Sequence, residues 1–332
     1  MKGDFTGFTF VYNGHSYTTE ELGITRVSDG DRYNEPLIPE LEDKTIEIPG
    51  LDGSYYYGSD FKSRNFPIKI AYDSLNETQF RLMRQIFGVK HTGLLIFDEA
   101  PYKQYRVKIA SPPELDFVCF DERIKEEVDF DGIKGQTTVE RNTQNTHRIY
   151  KGEGTIEFVA YYPFAIQVFK TLNEYEDTDY PNKSEWAAAS RLLDTSDDLS
   201  NEIDLTNGQI NLYNAGDVDI GFSLYVPFTE QPFNSDIQLS YSSYELRILN
   251  TITKKGEDKG FLINTVNGLV EGVSTDLSAE YDTLVTSGNI YNEYAIGNFF
   301  KVAPNTDKNE RTIIELEGGV EGMKLYYNYL YF

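Results

Sequence analysis

Apolar residues recur with a period of two along most of this 332-residue chain. Phe66, Ile68, Ile70 and Tyr72 alternate with Pro67, Lys69 and Ala71, which sends one row of side chains to each face of a strand. Phe5, Phe8, Phe10 and Tyr12 run into Asn13-Gly14, the strongest short hairpin signal, with His15–Thr18 as the returning strand. Further strands are predicted at about Gly23–Ser28 and at Thr45–Ile48, Ser54–Tyr57, Gly93–Phe97, Tyr102–Ala110 and Gly154–Tyr162. Glycine and proline close most of them. Such a chain is predicted to be mainly β, and 25 Tyr, 21 Phe and 26 Gly agree with that. Helical spacing is confined to two places. Leu75, Phe80, Met83 and Phe87 define one helix, with Ser74 and Glu77 as a capping box and Gly88 as the stop. Ser184–Leu193, around Trp186, gives a weak second pattern.

The composition shifts near residue 166. Up to that point 19 Lys and Arg face 27 Asp and Glu, and beyond it 11 face 27. Two domains follow, at residues 1–166 and 167–332, each long enough to bury its own core. Within the first, residues 114–150 read as an exposed excursion, a long hairpin being one form of it. Within the second, residues 174–200 form an acidic, linker-like segment. From Ile203 onward short strands follow at close intervals: Gln209–Tyr213, Ile220–Val226, Ile237–Ser240, Glu245–Asn250, Phe261–Asn264, Leu269–Val273, Phe299–Val302, Thr312–Glu317 and Met323–Tyr331. That spacing predicts a β-sandwich or jelly roll.

The charge narrows the function classes. Thirty basic against 54 acidic residues give a net charge of −24, which argues against bound nucleic acid or an anionic membrane surface as bulk partners. No apolar run approaches the ~18 residues of a membrane-spanning helix, and Met1–Phe5 lacks an apolar signal core, so synthesis in a cytoplasm is expected. Cys119, the single cysteine, rules out an intramolecular disulfide framework and reads as a small core residue. His15, His91 and His147 are too far apart for a zinc-binding spacing. Asn305-x-Asp307-x-Asn309 lacks the glycine and terminal glutamate of a calcium loop and reads as a polar turn. Asp194–Asp198 reads as a solvated loop. Nucleophile-elbow and phosphate-loop motifs are missing. No catalytic, cofactor or metal site is predicted, and the chain is expected not to be an enzyme.

Ile46-Glu47-Ile48-Pro49-Gly50-Leu51-Asp52-Gly53, in its place after an Asn-Gly hairpin and before the helix, resembles the distal tail proteins of long, non-contractile-tailed bacteriophages. Gly154-Thr155-Ile156-Glu157-Phe158 and Tyr162-Pro163-Phe164 close the first domain as in that family. The likeness covers residues 5–110 and 152–166. More loosely, Ile210–Asp217, Phe299–Pro304 and Leu325–Tyr331 resemble the family's galectin-like second domain.

This resemblance implies a structural virion protein at the tail tip. Six N-terminal domains would form a ring joining the tail tube to the tail-tip hub, and DNA would pass through without binding. The C-terminal domains would project outward, carrying receptor-binding proteins or side fibres or touching host-surface glycans. Pro36, Pro39, Tyr55, Tyr56 and Tyr57 are the candidates for an inter-subunit surface. Period two supplies the competing reading for the tyrosines, in which Tyr55 and Tyr57 pack in their own core and Tyr56 faces water. The alternative function is a glycan-binding adhesion module in the C-terminal sandwich, with Trp186 as its candidate residue.

Overall fold

The computed structural model describes residues 7–27, 38–47, 49, 53–88, 92–111, 113–122, 147–169, 174, 191–192, 203–229, 233–274, 285–307 and 310–331. The chain divides into two compact units, Met1–Phe164 and Ala165–Phe332.

The first unit opens with the hairpin of β1 (Phe8–Tyr12) and β2 (His15–Thr18). Asn13 and Gly14 both take positive φ, 51° and 75°, as the primed turn of a two-residue hairpin requires. A one-turn helix follows, α1 (Thr19–Leu22), which the sequence did not announce. Thr18 caps it by accepting a bond from the Glu21 amide at 3.1 Å, and Gly23 ends it in the left-handed region. Then come β3 (Thr25–Arg26), β4 (Leu41–Glu47), β5 (Ser54–Phe61), β6 (Arg64–Asn76), α2 (Glu77–Phe87), β7 (Thr92–Phe97), β8 (Lys103–Ile109), β9 (Glu114–Glu122) and β10 (His147–Ala160).

The main antiparallel sheet of this unit runs β2-β1-β7-β8-β10-β6-β3, with β9 also paired to β10. Phe66, Ile68, Ile70 and Tyr72 all face the core, as their alternation predicts. Helix α2 lays Phe80, Met83, Ile86 and Phe87 against the sheet. Phe87 meets Phe10 and Phe158, and the Phe80 ring stacks on Tyr150 at 4.2 Å. The predicted cap is displaced by two residues. Strand β6 continues through Ser74 to Asn76, and the capping box is Asn76 with Gln79. Leu75 is fully buried in the strand, so its packing holds that stretch extended and defers the first helical turn. Strands β9 and β10 make a long hairpin from Glu114↔Thr155 to Glu122↔His147. Of residues 114–150, predicted as an excursion, 114–122 and 147–150 thus form strands and 123–146 lie outside the described residues.

The second unit begins with β11 (Ala165–Gln167) and β12 (Ile203–Asp204). It continues through β13 (Gln209–Leu212), β14 (Phe222–Pro227), β15 (Ile237–Tyr241), β16 (Tyr244–Ile248), β17 (Gly260–Asn264) and β18 (Leu269–Val273). It ends with β19 (Thr286–Ile290), β20 (Ala295–Gly297), β21 (Thr312–Glu317), β22 (Lys324–Tyr327) and β23 (Leu330–Tyr331). Six strands form one sheet, β12-β13-β21-β15-β16-β20, and five form another, β19-β18-β17-β14-β22. Phe300 joins the two, its ring 5.7 Å from Phe222 of β14 and 5.8 Å from Tyr241 of β15. Phe299–Val302 is not a strand. Its only ladder contact among the described residues is a bridge between Val302 and Ile220, because the segment turns Phe300 inward as a plug. Strands β11 and β23 pair with each other, Ala165 opposite Tyr331 and Ile166 opposite Leu330. The weak helix at Ser184–Leu193 lies outside the described residues apart from Arg191 and Leu192.

Candidate functional site

Among the described residues, strands β4 and β5 pair only with each other and form a separate two-stranded sheet. Ile46 faces Tyr55 and Thr45 faces Tyr56, and the register shifts between Asp43 and Thr45. Polar contacts stiffen the hairpin along its length. Ser59 donates to the Asp43 carboxylate at 2.5 Å and shares a 2.6 Å bond with the Tyr56 hydroxyl. Lys44 pairs with Asp60, and Lys62 with Glu40 at 3.3 Å. At the root, the Lys62 amide donates to the Glu40 carbonyl at 2.8 Å. There the Phe61 ring meets Phe164 edge-on at 5.1 Å, and Phe164 in turn meets Tyr162.

The expected core packing of Tyr55 and Tyr57 is overturned. Tyr55, Tyr56 and Tyr57 are 53%, 63% and 63% exposed, and Leu41 and Ile46 are about half exposed. Period two still governs the strand, sending Tyr55 and Tyr57 to one face and Tyr56 to the other. Among the described residues, no layer of protein covers either side. Pro39 is buried at the start of the hairpin and is not a surface residue. Pro36 lies outside the described residues.

An isolated two-stranded hairpin is marginal in water, and a contiguous exposed apolar patch marks an interaction surface. Tyrosine suits such a surface, since its ring is apolar and its hydroxyl tolerates water. The chemistry available here is therefore recognition through aromatic anchors.

The other sequence candidates do not converge on this surface. His15 is exposed on β2, His91 and Trp186 lie outside the described residues, and His147 starts β10. Cys119 sits in β9, opposite Tyr150. The Asn305 side chain is committed to the fold, accepting from the Asn214 amide at 2.8 Å. No cluster of three or more metal-ligating side chains occurs among the described residues, and no described helix is long and apolar enough to cross a membrane.

One polar group that sequence reasoning missed is Asp258, buried in the second unit. It accepts from the Tyr291 hydroxyl at 2.6 Å and from the Asn289 amide at 3.0 Å. Burial alone would push this carboxyl up, but the bonds from Ser287, Tyr291 and Asn289 outweigh it and hold the group below the ordinary aspartate value. Burial and the bond to Asp258 push the Tyr291 hydroxyl up. Lys255 closes the cluster, its amide donating to the Tyr291 oxygen and its ammonium sitting 4.7 Å from that ring. These residues are more than thirty positions apart in places, so no spacing rule could have joined them.

Residues 22–160 match the family model described as the phage tail protein RIFT-related domain. No curated protein matches the chain. Among solved structures, the Dit (gp 19.1) protein of phage SPP1 is 11% identical, with 98% of this chain and 99% of that chain covered and a TM-score of 0.47. A chain of the activated phage P2 baseplate with calcium is 10% identical, with 97% of each chain covered and a TM-score of 0.40.

Proposed function

We propose, from the match of residues 22–160 to a phage tail protein domain, that this chain is the distal tail hub of a bacteriophage. Six copies close a ring that joins the tail tube to the tail tip and carries receptor-binding proteins or side fibres. The observation that carries this reading is the β4–β5 hairpin, which exposes Ile46 and Tyr55 to Tyr57 without a covering layer. A head-to-tail contact that closes by rotation joins two different patches of each copy, and the hairpin offers one of them. The role is structural and non-enzymatic, in the virion tail. The net charge of −24 suits a channel through which DNA slides, since like charge keeps phosphates from sticking.

Light scattering across a concentration range tests the reading. The assembled ring is expected to have six times the single-chain mass of 38.0 kDa. The mass of one chain at every concentration would sink self-assembly through this surface.

A further inference from the structure

Beside α2 lies a groove of about 270 Å³, lined by Phe80, Met83, Phe87, Leu115, Phe117 and Ile156. It is too small for a typical small-molecule ligand and suits one or two side chains. Phe117 stands at its mouth, 44% exposed, and packs edge-on against Phe80 at 5.1 Å. Arg84 lines the groove from α2, its guanidinium 4.5 Å from the Phe80 ring, and exposed Arg81 precedes it on the same helix. Neither arginine makes an ion pair among the described residues. In a chain with 54 acids against 30 bases, two adjacent cations without a carboxylate are a gap in the charge pattern.

The hairpin carries the complement. Ile46, Tyr55 and Tyr57 share one face by pairing and period. Exposed Glu42, on the same face of β4 as Ile46, makes no ion pair among the described residues. Hairpin and groove are different patches of one chain, apolar at their centres and opposite in rim charge. We propose that the groove beside α2 is the socket for the hairpin of a second copy. One of the two rings, Tyr55 or Tyr57, enters between Phe80 and Phe117, Ile46 packs at the mouth, and Glu42 meets Arg84. The contact is heterologous, so each copy gives a hairpin to one neighbour and receives one from the other. This inference rests on the ring reading and adds to it the acceptor surface.

The test uses the full chain in two variants, with molar mass from light scattering as the readout. One, Tyr55→Ser/Tyr57→Ser, disables the hairpin. The other, Arg81→Glu/Arg84→Glu, disables the socket at exposed positions, with circular dichroism to verify folding and Phe117→Arg as a second socket variant. Each variant alone is expected to fall from the wild-type mass to that of a single chain. An equimolar mixture has one intact contact left, between the good hairpin of the socket variant and the good socket of the hairpin variant. It is expected to give a dimer, with twice the single-chain mass. Socket variants that keep the wild-type oligomer mass would overturn this inference and leave the ring reading standing. A mixture that stays monomeric would overturn it as well. Wild-type protein that is monomeric throughout would overturn both.

Discussion

Asp258 is the residue whose loss is most costly for its size. It holds the hydroxyl of fully buried Tyr291 and the amide of Asn289, and a carboxylate with several donors is worth more than a neutral acceptor. Asp258→Ala is expected to lower stability by about 3 kcal/mol, read from urea unfolding, since it leaves the buried Tyr291 hydroxyl without an acceptor. The acid behaviour follows from the direction of its shift. Because its folded value lies below the unfolded one, its contribution is complete above about pH 4 and is lost as pH falls through the folded value. Asp258→Asn is therefore expected to be less stable than wild type at pH 7, with the gap shrinking at pH 3. A gap that stays constant between the two would contradict the charged network. Gly272 belongs to the same design, since a Cβ there would sit 2.2 Å from the Asp258 carboxylate oxygen. None of this was legible beforehand, because a single aspartate among 54 acidic residues carries no sign of being buried.

At the scale of elements, periodicity was legible and its context was not. The alternation of Phe66 to Tyr72 located both the strand and its core face, and Asn13-Gly14 located the first turn. The same rule applied to Tyr55 to Tyr57 located the strand and left core packing and an exposed surface both open, because alternation says which side chains share a face and not whether protein covers it. The short strands β12, β19 and β20 escaped notice for a related reason: runs such as Thr286–Ile290 are exposed and carry little apolar contrast. For α2, the sequence analysis placed the cap at Ser74 with Glu77, and the structure has it at Asn76 with Gln79 because buried Leu75 keeps β6 extended past Ser74. Asn76→Ala is expected to cost about 1 kcal/mol in thermal or urea unfolding. Ser74→Ala, at an exposed strand position, is expected to stay within about 0.5 kcal/mol of wild type. Equal losses from the two would return the cap to its predicted place. Gly152 marks a different constraint, since a Cβ there would come within 2.0 Å of the Asp116 carbonyl and push β9 off β10.

At the scale of the molecule, the division into two units is the main feature. The second unit has its own buried core, including Leu224, Phe261, Ile263, Ile314 and Leu316. Residues 165–332 produced alone are expected to unfold in one cooperative thermal transition, as an independent domain does. Tyr331, 2% exposed on β23, anchors the closing pair. Tyr331→Ala is expected to destabilise that unit by about 3 kcal/mol through the cavity and lost packing. A non-cooperative melt of the isolated unit would mean that it borrows its core from elsewhere. The pairing of β11 with β23 has a consequence for how such a chain can change over generations. The first and last described strands of this unit lie side by side, roughly 5 Å apart between partner Cα atoms. A segment whose ends meet can be lifted out of one gene and spliced into a surface loop of another without stretching the recipient backbone. Recombination can therefore exchange this unit for a different one while residues 22–160 keep their sequence.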